Sequence, residues 1–144
     1  ALGPAVAPGD LRLSWSLALR TLRATQAGVL SSEGLQVAEE QLVDLLLFES
    51  GPLVRRMAAR RLAPLVPLTP RARARMLETA LAYVRHQGSP MAMAEALHVH
   101  PQTARYRIAR LRDLLGDQLD DPDARFELEL ALRADPLAAG LEGA

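Results

Sequence analysis

A chain of 144 residues suffices for one ordinary domain or two very small ones, and its lack of cysteine excludes disulfides and thiolate zinc sites. Hydrophobic residues make up 49% but aromatics only 3%. A core must therefore come from Leu, Ala and Val, and the scarcity of β-branched and aromatic residues predicts an all-α fold. The net charge of zero conceals a basic block: residues 71–115 hold eight arginines against three acids, and residues 116–144 hold two against eight. A polyanion would dock on the first and be repelled by the second.

Residues 1–9, with two Pro and two Gly, are expected to be loop. Asp10 is placed to cap a helix from Leu11 to Ala27, in which Leu11, Trp15, Ala18 and Leu22 share one face. A second helix is expected over 37–49, with Leu42, Leu45, Leu46 and Phe48 available for burial. Gly51-Pro52 breaks it and opens a third, to about Leu62. Pro64, Pro67 and Pro70 punctuate the connector that follows. Thr69-Pro70 starts a helix to Gln87 that buries Leu77, Leu81 and Val84. Gly88-Ser89-Pro90 leads into a short helix, Met91 to Leu97, and Pro101 opens another, ended by Gly116. Asp120-Asp121-Pro122 starts a last helix that Asp135-Pro136 closes. The longest apolar run in mid-chain, Leu45 to Phe48, is far below the roughly 20 residues that span a membrane. No charged signal-peptide region precedes it, so a cytoplasmic protein without a membrane partner is expected.

Residues 91–111 have the anatomy of a helix-turn-helix. Small Ala94 lets two helices cross closely, Leu97 and Val99 plug the angle between them, and Ala104, Ile108, Leu111 and Leu115 form the buried stripe of the second helix. With that stripe inward, Gln102 and Tyr106 point outward, flanked by Thr103, Arg105 and Arg110. The first turn of a recognition helix reaches base edges in the major groove. Gln102 can pair with adenine and Arg105 with guanine, while Thr103, Tyr106 and Arg110 suit phosphate or sugar. His100 completes the candidate set at the helix start. Double-stranded DNA is the expected partner, bound by a homodimer because one helix reads only a few base pairs.

On these residues and their neighbours, the stretch from Met76 to Arg133 resembles the C-terminal helix-turn-helix domain of the PucR/CdaR type of bacterial transcription regulator. The likeness is carried by Leu77-Glu78-Thr79-Ala80-Leu81-Ala82-Tyr83, Ala96-Leu97-His98-Val99-His100 and Thr103-Ala104-Arg105-Tyr106-Arg107-Ile108. It continues through Leu114-Leu115-Gly116, Leu119-Asp120-Asp121-Pro122, Arg125-Phe126-Glu127-Leu128 and Ala131-Leu132. It implies a sequence-specific transcriptional regulator with residues 101–115 as recognition helix, and an effector, if any, bound by a region missing from this chain. Pro101-Gln102 stands where the family has a basic residue and Asn, and Ala104 where it has Val, so the family's target sequence is not carried over. Residues 10–67 resemble, by helix order and the Leu42–Phe48 segment, the end of the degenerate GGDEF-like domain preceding this module in many members. No Gly-Gly-Asp/Glu-Glu-Phe signature accompanies them. The implied domains are a helical regulatory remnant, 1–67, open to a dimerisation role, and a DNA-binding domain, 68–144.

No nucleophile–base pair, P-loop or dinucleotide fingerprint is present, so neither enzyme activity nor a cofactor is expected. His98 and His100, two apart, have no Cys in the chain and no acidic cluster next to them in sequence, and read as turn or capping residues rather than metal ligands. Trp15 reads as core or as an interface anchor. Arg55-Arg56 and Arg60-Arg61 read as a solvated face before a second phosphate-contacting surface. Met76, Met91 and Met93 read as gap-fillers. The alternative function is a helical protein–protein interaction or dimerisation module without direct DNA contact.

Overall fold

The computed structural model describes residues 1–134. These form α1 (Leu11–Gln26), α2 (Leu42–Glu49), α3 (Gly51–Arg61), α4 (Pro70–Arg85), α5 (Pro90–Ala96), α6 (Pro101–Leu115) and α7 (Pro122–Ala134), joined by short 3-10 turns. No strand occurs among the described residues, and the architecture is all-α, as composition predicts. The helix stop expected at Asp135-Pro136 lies outside the described residues.

The chain divides into two compact units, Ala1–Gly51 and a second that begins at Pro52. The first has a small core of Ala24, Leu30, Ala38 and Leu45, with Leu17 and Phe48 packed against it. Here the expected stripe of α1 fails: Leu11, Trp15 and Leu22 are 62%, 72% and 42% exposed. The inward face of α1 is instead Leu17, Thr21 and Ala24, at i, i+4 and i+7. Thr21 can be buried because its hydroxyl donates to the Leu17 carbonyl at 2.9 Å. Periodicity identifies an apolar face but not whether anything covers it. The same holds in α2, where Leu45 and Leu47 are buried but Leu42 and Leu46 are exposed.

The N-terminus also departs from expectation. Residues 1–9 are not all loop: the Leu2 amide donates to Gln36 O and the Ala38 amide to Leu2 O, both at 2.8 Å, and Pro8–Asp10 is a 3-10 turn. That turn leaves Asp10 with helix-like rather than extended backbone, and its side chain caps nothing.

In the second unit α4 is the central element. Met76, Leu77, Thr79, Ala80, Leu81, Ala82 and Tyr83 are all buried, because α5, α6 and α7 pack around its C-terminal half. Thr79 disposes of its hydroxyl on Arg75 O at 2.6 Å. Leu111, Leu128 and Leu132 are fully buried in the same core, each contributing roughly 1.5–3 kcal/mol by the transfer of its side chain from water. Leu62 and Leu65 join this core, so the compact unit starts before residue 68. Arg60 and Arg61 are not merely a solvated face. Both donate to the Glu127 carboxylate, Arg61 at 2.9 Å, and tie α3 to α7. The turn from α4 to α5 depends on Gly88, at φ +72°, where a Cβ would stand 2.8 Å from the Tyr83 ring.

Candidate nucleic-acid interface

Three local devices set α5 and α6 in place. Ser89 Oγ accepts the Ala92 amide at 3.5 Å to start α5, with Pro90 at its first position. His98 takes the left-handed conformation, φ +50°, between the two helices, which His tolerates better than most side chains. His100 Nδ1 then accepts the Gln102 amide at 3.2 Å and caps α6, with Pro101 following. His100 is thus held at the helix start by its own cap, the role its position suggested. Ala94 is buried where the helices cross, and Leu97 is packed against the core. The α6 stripe of Ala104, Ile108, Leu111 and Leu115 is buried as the spacing predicts.

That burial leaves Gln102, Thr103, Arg105, Tyr106 and Arg110 all exposed on α6, with His100 exposed at its start. Tyr106, at 72% exposure, is a large aromatic ring held out in water. Arg105 Nη1 donates to Gln102 Oε1 at 3.4 Å, so the two candidate base-reading side chains lean on each other across one turn. Arg110 lies 3.8 Å from Asp113, and both are about half exposed or more, a pairing too solvated to hold the guanidinium firmly.

The four arginines of α6 are not equivalent. Arg107, with only 16% of its side chain exposed, donates to Glu78 Oε2 of α4 at 3.1 Å and is neutralised there. Arg112 donates to the Tyr83 hydroxyl at 3.3 Å, and that hydrogen bond, with the electrostatic attraction of Tyr83 and of nearby Asp120, raises its pKa. Two arginines therefore fasten α6 to α4, and two face outward. Sequence spacing could not separate them, because Glu78 lies 29 residues away.

Beside the outward face runs a groove of about 570 Å³ between α6 and the N-terminal half of α4. Leu68, Met76 and Leu114 form part of its apolar lining, while Thr103, Tyr106 and Arg110 enter it from α6 and Arg75 from α4. Arg75 and its neighbour Arg71 belong to no motif of the sequence. The local run of charge from residue 71 is the signal that contained them.

Residues 76–134 match the PucR C-terminal helix-turn-helix domain. Among curated proteins, the carbohydrate diacid regulator of Escherichia coli (strain K12) is 39% identical over 57 residues, covering 40% of this chain. The chain spans only 15% of that relative's length. Residues 76–134, which run from within α4 to the end of α7, are similar in sequence to the PucR C-terminal helix-turn-helix domain.

Proposed function

We propose that this chain is the DNA-binding part of a bacterial, cytoplasmic transcription regulator of the PucR/CdaR kind, with α6 as the recognition helix in the major groove. The observation that carries the reading is the outward face of α6, where Gln102, Arg105, Tyr106 and Arg110 are all exposed on a helix whose opposite face is fully packed. Gln102 supplies the donor and acceptor that read an adenine edge, Arg105 supplies the paired donors that read a guanine edge, and Thr103, Tyr106 and Arg110 position the helix on the backbone. The similarity of residues 76–134 to a regulator's helix-turn-helix domain supports the same assignment.

Self-association belongs to this reading, since one recognition helix reads few base pairs. The exposed stripe of Leu11, Trp15 and Leu22 in α1 gives residues 1–67 an apolar surface for it and favours a dimerisation role within the N-terminal piece. A monomer mass by light scattering at micromolar concentration would remove that component.

The test is binding to duplex DNA from upstream of the protein's own gene, titrated at several salt concentrations. Affinity should fall linearly in log–log form as salt rises. Arg105→Ala should weaken operator binding by about 1–3 kcal/mol and relax preference at one base position. Absence of any salt-dependent complex would leave the protein-interaction module as the surviving reading.

A further inference from the structure

We propose that Arg71 and Arg75, on the first turns of α4, grip the phosphate backbone of the same duplex that α6 enters, as a second positioning surface outside the helix-turn-helix. The inference rests on the DNA-binding reading above and extends it to residues that precede the matched segment, 76–134. The two side chains are one helical turn apart and both exposed. Arg75 lines the groove that Thr103, Tyr106 and Arg110 enter from the recognition helix, and Arg71 and Arg75 together line the adjoining hollow with Arg107. No ion pair engages Arg71 or Arg75 among the described residues. The acid that lines that hollow, Glu78, is engaged by Arg107 at 3.1 Å. Among the described residues, the surface therefore presents positive charge without an ion-pair partner, continuous with the outward face of α6.

The helix itself argues against an idle solvated face. The first turn of α4 has no acidic residue, and Arg71 lies beside the positive end of the helix dipole, where a cation is disfavoured. A bound phosphodiester relieves that repulsion, because it is attracted by the guanidinium groups and the dipole together.

The experiment compares wild type, the double variant R71Q/R75Q and a control, R55Q/R56Q, which removes the same charge from exposed positions of α3. Each is titrated with the upstream duplex and with a scrambled duplex of equal length, from 50 to 300 mM salt, after circular dichroism has verified equal helicity. R71Q/R75Q should make the salt slope shallower by about 0.9 per phosphate given up, nearly 2 for the pair. Extrapolated from equal affinity at 1 M, that is a loss of roughly 10- to 60-fold at 0.1 M salt, alike on both duplexes. The control should change the slope little. Wild-type binding with an unaltered slope in R71Q/R75Q overturns this inference alone, as does an equal effect of R55Q/R56Q. Failure of the wild type to bind either duplex overturns the DNA-binding reading as well.

Discussion

The contact between Arg107 and Glu78 makes stability and DNA affinity move in opposite directions, and Glu78→Gln separates them. The pair is 3.1 Å apart, with Arg107 16% and Glu78 35% exposed in their side chains. That places it between exposed pairs, worth about 0.2–1 kcal/mol, and buried pairs, whose rupture costs roughly 3–5 kcal/mol. Gln keeps the shape and one acceptor oxygen, so the lower part of that interval applies, about 1–1.5 kcal/mol. For the second unit melting as one cooperative body, this is a fall of roughly 4–12 °C in Tm. The same change leaves the Arg107 guanidinium uncompensated beside the groove that borders the recognition face. Duplex binding at low salt should then tighten, by less than about tenfold, and weaken more steeply as salt rises. The assays are calorimetric melting and fluorescence anisotropy on identical preparations. A double-mutant cycle with Arg107→Met isolates the pair from its surroundings. An unchanged Tm together with weaker DNA binding would refute the reasoning, and so would strict additivity of the two substitutions in the cycle.

His100→Ala removes the acceptor for the Gln102 amide and should cost about 1 kcal/mol, with His100→Asn recovering most of it; equal melting of His100→Ala and wild type would show that the cap contributes nothing. The hydrogen bonds from Arg60 and Arg61 hold the Glu127 carboxyl below its ordinary pKa. Its folded value therefore lies below its unfolded value, and its contribution is complete above the ordinary glutamate range and lost as pH falls through the folded value. The Tm advantage of wild type over Glu127→Gln should hold at pH 7 and shrink from about pH 5 downward. An advantage that stays constant to pH 3, or is absent at pH 7, contradicts the pairing of α3 with α7.

The helix-turn-helix was legible because its determinants are local. Ser89-Pro90 and His100-Pro101 fix helix starts within three residues, and the Ala104, Ile108, Leu111 and Leu115 spacing states which side of α6 is packed. Once that side is known, geometry alone puts Gln102, Thr103, Tyr106 and Arg110 outside. The sequence determined the all-α fold and the order of helices for the same reason: propensity, caps and breakers act over a few residues.

Only the tertiary structure decided which charges are free and which apolar faces are covered. Arg107 and Arg112 look like Arg105 and Arg110 on a helical wheel. What distinguishes them is Glu78 and Tyr83, brought alongside by the packing of α4 against α6. Arg60 and Arg61 meet Glu127 across 67 and 66 residues of chain. Leu11, Trp15 and Leu22 keep the spacing of a buried stripe yet stand in solvent, since burial depends on a neighbour and not on a period. Electrostatic pairing and burial are relations between distant segments, so no window of sequence contains them.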